Sequence, residues 1–414
     1  MTTARYIVGD TRDVTATLPD ASVDLVMTSP PFLALRSYLP VDHPDKHREI
    51  GSEPGPAEFL QTLLELTAEW RRVLAPHGSI CVELGDTYSG SGGAGGDYNE
   101  GGLRDGAPKF SGSAMSYRKT AVRNRDLVAW PLDKSMCGIP WLYSLSLAYG
   151  RNLLTGQPSP AGQWRVRNVV AWCRPNPPVG ALGDKFRPAT SYLTIATVAR
   201  DRYFDLDAVR TPLSGKRKAD TSDVTKEPNK IARGNFNTLG PYDPEQSAGA
   251  PPLDYWVIPT QPYSGSHYAT YPPDLCTRPI LSMCPQRVCT VCGQPSRRVT
   301  SEPEYVPSAT NRGGSMMSDA ERVAPGANQW VGTAGARASV IRSTDTIGWT
   351  DCGHDAWRNG VVLDPFGGSG TTGMVATGHG RDAILVDIDD RNADLAAERI
   401  GMFLTVEHHE RGAA

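Results

Sequence analysis

The chain has 414 residues, of which 39% are hydrophobic and 21% charged, and its formal net charge is −3. That length and composition fit one large globular domain with insertions, or two smaller ones, and exclude a chain too polar to bury a core. No apolar run approaches the ~18 residues that cross a bilayer, and a charge so near zero leaves any contact with nucleic-acid phosphates to local patches.

The opening segment, MTTARYIVGD, runs directly into a strand-like stretch and lacks the apolar run of a signal peptide. Tyr6 to Asp10 and Val23 to Thr28 are short β-branched runs that predict strands, with Asp10 at the end of the first. Ala57 to Leu74 carries Phe59, Leu63, Leu66, Trp70 and Leu74 at helical spacing, and Pro76-His77-Gly78 ends that helix before the strand SICVEL.

The second strand is followed at once by TSPPF, Thr28 to Phe32. Two prolines cannot continue a central strand or enter a helix interior, so the chain must leave the sheet at its carboxyl edge, where open α/β sheets bind ligands. An exocyclic base amine is a poor nucleophile because its lone pair is delocalised into the ring. Hydrogen bonds from its N–H groups to Ser29 and to the Pro30 carbonyl favour a pyramidal nitrogen, Pro31 stiffens the turn, and Phe32 would stack on a flipped base.

Residues 89–125 are rich in Gly, Ser and Arg, residues 164–210 read again as packed strands, and residues 211–250 and 300–345 are polar with little periodicity. Loops of this length in a compact domain are functional or disordered. Basic clusters occur at Lys109, Arg118, Lys119, Arg123 and Arg125, at Arg151, Arg165, Arg167 and Arg174, and at Lys216, Arg217 and Lys218; each serves equally well as a solvated loop or a phosphate contact.

Residues 361–404 read strand, glycine-rich turn, helix, strand, helix, the alternation of a parallel sheet covered on both faces. In VVLDPFGGSGTTG, Val361 to Gly373, an apolar strand ends at Asp364. Gly368 and Gly370 then let the backbone approach a ligand, and the helix starting at Thr371 offers free N–H groups to an anion. AILVDID follows as a second strand, placing Asp387 where a carboxylate would hold two ribose hydroxyls. Gly368, Gly370 and Gly373 also satisfy the GxGxxG pattern of dinucleotide enzymes, a reading that leaves TSPPF without a role.

Together these signatures resemble the DNA amino-methyltransferases, specifically the permuted, beta group in which the catalytic motif precedes the cofactor motif. Gly9 to Phe32, Trp70 to Leu84, Arg167 to Val179 with Arg202 to Asp205, Trp256 to Ile280 and the C-terminal block look like family segments in family order, covering roughly half the chain. The resemblance implies an α/β, Rossmann-like, circularly permuted sheet with loop insertions, in which the N-terminal strands complete the sheet begun by the C-terminal ones. It implies S-adenosylmethionine as cofactor, with Asp364, Phe366, Gly368 and Gly370 around the methionine part, Asp387 at the ribose, Asp10 near the adenine, and His267, Tyr268 and Pro272 closing the pocket. It places the target base on Ser29, Pro30, Pro31 and Phe32. Serine at the first motif position is similar to cytosine-N4 enzymes, whereas an acid or Asn there marks adenine-N6 enzymes. The alternatives are an adenine-N6 enzyme and a DNA-binding protein whose core has lost activity.

Eight cysteines without a secretion signal fit a reducing cytoplasm, where paired cysteines bind metal more often than they form disulfides. Cys289 and Cys292 form one half of a zinc knuckle, and Cys352 with His354 can form the other, a structural zinc clip with Cys284 as a substitute ligand. Cys81, Cys137, Cys173 and Cys276 read as small core hydrophobes.

The expected organisation is 1–88 as the catalytic half of the core, 89–163 as a basic insertion, 164–210 as core strands and 211–255 as a polar insertion, with either insertion a candidate for DNA contact and target recognition. Residues 256–283 form the cofactor-pocket segment, 284–358 the zinc-binding insertion and 359–414 the cofactor half. The resemblance implies double-stranded DNA as partner; the expected location is cytoplasmic and nucleoid-associated, with no membrane, and whether a cognate restriction or defence system accompanies the chain is left open. The recognition sequence and oligomeric state are not written in these residues.

Overall fold

The computed structural model describes residues 2–34, 39, 43–89, 130–177, 184–211, 249–261, 271–301, 304–306, 339–341 and 345–409. The chain forms two compact units. One comprises Met1–Ala208, Leu253–Arg297 and Asp351–Ala414, the other Val209–Pro252 and Arg298–Thr350.

The first unit is built on nine strands: β1 (Ala4–Val8), β2 (Val23–Thr28), β3 (Leu74–Leu84), β4 (Arg165–Cys173), β5 (Thr190–Thr197), β6 (Tyr255–Val257), then β13 (Val361–Asp364), β14 (Asp382–Asp387) and β15 (Leu404–His408). Between these come β7 (Arg287–Cys289) and β12 (Trp357–Asn359), which pair with each other in the same unit. In the second unit β8 (Arg298–Thr300) pairs with β11 (Thr346–Trp349), and β9 (Glu304–Val306) with β10 (Ser339–Ile341), both antiparallel.

The nine-stranded sheet has the order β15-β1-β14-β13-β2-β3-β5-β4-β6. From β15 to β3 every pair is parallel, whereas β5 runs antiparallel to both β3 and β4. The first sheet strand of the C-terminal block, β13, therefore lies against β2 from the N-terminal block, and β1 sits between β14 and β15. This is the permuted sheet the sequence implies, and it is possible because strand pairing depends on edges and register rather than on chain order.

Helices cover both faces. On one, α1 (Thr11–Thr17), α2 (Pro56–Val73) and α3 (Ile139–Tyr149) pack over a core containing Val14, Phe59, Leu63, Trp70, Tyr143 and Leu147. On the other, α4 (Pro273–Met283), α5 (Thr371–Gly378) and α6 (Arg391–Ile400) cover Leu275, Ile280, Val375, Ala396 and Ile400. The buried row Phe59, Leu63, Leu66 and Trp70 of α2 follows the 3.6-residue period, and cutting one such leucine back to alanine costs about 2–5 kcal/mol.

Three local outcomes differ from the sequence reading. β1 stops at Val8, and Asp10 lies beyond it as the N-cap of α1, accepting from the Arg12 N–H at 2.9 Å. Pro76-His77-Gly78 does not separate helix from strand, because α2 passes straight into β3 at Leu74. The β2–β3 register jumps from Val23↔Leu74 to Leu25↔Ser79, an irregularity that absorbs a proline with no N–H to give. Finally, α3 lies within the segment expected as a basic insertion and packs on α2, with a hydrogen bond between Thr67 and Tyr143 at 2.7 Å. No helix among the described residues is long and apolar enough to cross a membrane.

Candidate active site

β2 and β13 are neighbours with Val26 opposite Leu363, so their carboxyl ends emerge side by side. Beyond β2 the chain turns through Ser29, Pro30 and Pro31; beyond β13 it turns through Pro365 to Gly370 into α5. Between them lies a cleft with about 880 Å³ of free space, part of it open to solvent. Ser29, Pro31, Asp10, Phe366, Gly368 and Asp387 all line it. Pro30 is buried beside it, and Phe32 lies against Gly85, where an added Cβ would come within 2.5 Å of the Phe32 ring.

The glycine turn is held from three sides. The Gly367 N–H donates to the Val386 carbonyl and the Gly368 N–H to Asp387 Oδ2, each at 2.8 Å. Tyr6, reaching across from β1, donates its hydroxyl to the Gly368 carbonyl at 2.8 Å. Gly370 caps α5 with a φ of +79°, a left-handed conformation that glycine adopts without strain, and a Cβ there would meet Ala396 Cβ at 2.8 Å. Gly370 thus lets the turn seat on α6 and stands behind the cleft wall.

Asp364 also stands behind that wall, fully buried. Its Oδ1 accepts from Thr28 Oγ1 at 2.7 Å and from the Phe366 N–H at 3.1 Å, and its Oδ2 accepts from Tyr271 Oη at 2.8 Å and Thr372 Oγ1 at 2.6 Å. Burial pushes its carboxyl above the ordinary value, while those four donors pull it back. The arrangement makes Asp364 a knot joining β2, β13, α5 and Tyr271.

Asp387 ends β14 in the cleft. Its carboxylate accepts from the N–H groups of Gly368 and Asp389 and from Asn392 Nδ2, and burial pushes its pKa up to about 6. Asp10 is buried and paired with Arg48 Nε at 2.9 Å; Arg48 also forks onto Asp13 at 2.7 and 2.8 Å and is held charged by that contact. His267 and Tyr268 lie outside the described residues, and Pro272 caps α4.

Several participants escaped the sequence reading. Ser29 donates its hydroxyl to Glu83 Oε2 at 2.6 Å, and Glu83 is a buried acid on β3. Burial raises its pKa, opposed by the Ser191 and Ser29 hydroxyls and by the charge of Arg174. The signal was there: a lone carboxylate inside the apolar run ICVEL is rarely buried without a partner. Arg48, Glu49, Tyr271 and Asn392 also line the cleft, and no sequence pattern points to them.

The four expected metal ligands are also brought together. Cys289, Cys292, Cys352 and His354 offer ligand atoms all within 4.8 Å of one another, a cluster able to hold a metal. Cys284 is not among them; it is buried in the core, where a Cβ on Gly360 would meet its sulfur at 2.8 Å. Cys81, Cys137 and Cys276 are buried and Cys173 half-buried.

A family model described as DNA methylase, of the N6/N4 methyltransferase type, matches residues 23–288 and 352–398. The chain belongs to the N6/N4 DNA methylase family. Among its relatives, Type II methyltransferase M.SmaI of Serratia marcescens is 24% identical over 396 residues, 96% of this chain and 90% of that one. Type II methyltransferase M.Cfr9I of Citrobacter freundii is 26% identical over 319 residues, 73% of this chain and 85% of that one. Among solved structures, the PvuII DNA methyltransferase, described as cytosine-N4-specific, aligns with a TM-score of 0.45 and 13% identity over 96% of this chain and 86% of that one. The family match begins at β2 and ends on α6, so the turns after β2 and β13 fall inside the matched segments, while Asp10 precedes them. As a DNA methylase, the chain has DNA as its substrate.

Proposed function

We propose that this DNA methylase transfers the methyl group of S-adenosylmethionine to the exocyclic N4 of cytosine in double-stranded DNA, with the target base flipped out of the helix. The observation that carries the reading is Ser29 in the cleft wall with its proton committed to Glu83 at 2.6 Å. A hydroxyl donating backwards keeps its oxygen lone pairs as acceptors for an amine N–H. The Pro30 carbonyl takes the second N–H, and the nitrogen lone pair is freed from the ring. Positive charge grows on that nitrogen as it is methylated, and the Glu83 carboxylate behind Ser29 favours it in a site of low dielectric.

The donor set of the cleft fits the cofactor. Asp387 is a carboxylate for ribose hydroxyls, the start of α5 faces an anionic carboxylate, and Phe366 and Gly368 flank the methionine part. Asp10 stands toward the adenine, Asp364 holds the turn in place from behind, and His267 belongs to the same pocket by the family resemblance. S-adenosylmethionine, when bound, supplies an electrophilic methyl carbon on a sulfonium.

Serine rather than an acid at the head of the proline motif favours cytosine-N4 over adenine-N6, by the family pattern. Phe32 stacking on the base completes the base site. The reading includes zinc as the ion of the Cys/His cluster, a cytoplasmic, nucleoid-bound location, and a paired restriction or defence system of the kind that the relatives' Type II names suggest. Incubation with labelled S-adenosylmethionine and mixed-sequence DNA, followed by digestion to nucleosides, tests it. N4-methylcytosine is expected; N6-methyladenine alone overturns the cytosine assignment, and no transfer to any DNA favours a binding-only protein.

A further inference from the structure

The zinc reading can be carried further, because the structure specifies both the geometry of the site and the end of the sheet on which it lies. β7 and β12 pair antiparallel with Cys289 opposite Trp357, which brings the two half-sites together. The Thr290 N–H donates to the Ala356 carbonyl at 2.9 Å and the Gly293 N–H to the Cys289 carbonyl at 3.0 Å, closing the first turn. Within it, the Cys292 N–H points at Cys289 Sγ at 3.5 Å, the donor a bound thiolate requires.

His354 Nδ1 lies 3.6 Å from Cys289 Sγ and 3.4 Å from Cys352 Sγ. A tetrahedral ion with bonds of about 2.3 Å to sulfur and about 2.05 Å to nitrogen spaces those atoms about 3.6 Å apart. The spacing is that of a tetrahedral edge. Three sulfurs and one imidazole leave no open position, so the set describes a closed structural site and not a catalytic one.

Its place agrees. β12 ends at Asn359, just before the amino end of β13, whereas the cleft opens at the carboxyl end of that strand. The residue between the half-site and β13 that anchors this edge is Arg358. Its guanidinium forks onto the buried carboxylate of Asp24 at 2.6 and 3.1 Å, and the same carboxylate accepts from the Val361 N–H at 2.8 Å. Asp24 is the second residue of β2, the strand that carries Ser29 at its other end.

We propose, on the zinc reading above, that Cys289, Cys292, Cys352 and His354 hold one zinc ion that clamps the β7–β12 pair and, through Arg358 and Asp24, fastens the amino ends of β2 and β13. The ion takes no part in methyl transfer. It ties Cys292 to Cys352, which stand on either side of residues 298–350 in the sequence. Metal binding then becomes folding free energy for the catalytic strand.

Elemental analysis of protein purified without a metal-affinity step should find one zinc per chain, and cobalt loading should give a thiolate charge-transfer band. Cys292→Ser, at an exposed position, should cut bound zinc at least tenfold while the affinity for S-adenosylmethionine, read by calorimetry, stays within threefold. Chelation should lower Tm by at least about 5 °C. In Arg358→Met, or Arg358→Lys if the first does not fold, zinc content should be retained and the chelator-induced shift at least halved. Metal-free native protein, a Cys289–Cys292 disulfide, a large loss of cofactor affinity in Cys292→Ser, or an unchanged chelator shift in the Arg358 variant each overturns the proposal. None of these readouts uses methyl transfer, so they fail or hold separately from the assignment of the reaction.

Discussion

Thr28 donates its hydroxyl hydrogen to Asp364 at 2.7 Å across 336 positions of sequence. One residue ends the strand that leads into the prolines, and the other ends the strand that leads into the glycines. The permuted chain thereby reunites its two functional halves through a buried hydrogen bond behind the cleft wall. Tyr271 and Thr372 complete the knot on the other carboxylate oxygen, so three hydroxyls from three elements converge on one acid.

Thr28→Val keeps the shape of that side chain and removes the bond. A hydrogen bond to a buried charged group contributes about 1.5–3 kcal/mol, so the variant should unfold at lower urea concentration with an unchanged slope. An unshifted midpoint would mean that the knot is held by Tyr271 and Thr372 alone.

Ser29→Ala should lower turnover at least tenfold while cofactor affinity survives, because the lost hydrogen bond acts on the amine and not on the cofactor. Glu83→Gln should slow turnover as well, and it should change the pH profile. In the native enzyme, protonation of Glu83 turns it from acceptor to donor and releases Ser29, so the rate falls as pH drops. The fall should come above the usual carboxylate range, since burial raises this acid. Single-turnover rates from pH 5 to 8 measure it; an acid limb that persists unchanged in Glu83→Gln assigns the titration to another group.

Asp387 gives a separate pH dependence, visible in binding. Only its ionised form accepts from both ribose hydroxyls, and burial pushes its pKa up to about 6. The Kd for S-adenosylmethionine should be flat near neutrality and rise by up to about tenfold per pH unit below that point. Asp387→Asn should bind weakly at every pH and lose the slope. Calorimetric titrations at pH 5.0, 6.0 and 7.5 decide it, and a native Kd that does not move would remove Asp387 from the ribose.

The legible parts of this molecule were those in which a short run of sequence carries its own physics. VDLVMTSPP can only be a strand that leaves its sheet, LDPFGGSGTT can only be a strand, a tight turn and a helix start, and C-x2-C-G with C-G-H predicts the cluster of four side chains that the fold assembles. The apolar spacing predicts α2 to within a residue at each end, because its buried side chains repeat without interruption. What could not be read was partnership. Nothing near Ser29 in sequence announces Glu83, which reaches it only because β3 lies next to β2. Asp364 read as a cofactor contact because family motifs are linear, whereas its four donors come from β2, the adjoining turn, α5 and the residue before α4. Asp10 read as a strand end because YIVGD is continuous, whereas an aspartate one residue before a threonine-led helix caps it.

Asp24 offers the last test, on stability alone. It is a carboxylate with no exposure, next to His77 Nε2 at 2.9 Å and forked by Arg358. Burial would push its pKa up, but the hydrogen bonds from His77 and Arg358, with the Arg358 charge, outweigh it and hold the acid below its ordinary 3.8. A carboxyl depressed in the folded state stabilises the fold above the unfolded value, and that stability is lost as pH falls through the folded one. Asp24→Asn should therefore cost about 3 kcal/mol at pH 7, near the lower bound for breaking a buried pair because Arg358 keeps some access to water. Below the ordinary 3.8 the difference between native and variant should begin to shrink, since the unfolded chain takes up its proton there while the folded acid resists until a lower pH. Urea denaturation of both proteins at pH 7 and pH 3.5 measures the two gaps. A gap that stays constant across that range would mean that Asp24 holds β2 by shape and neutral hydrogen bonds, and that the charge of Arg358 contributes nothing.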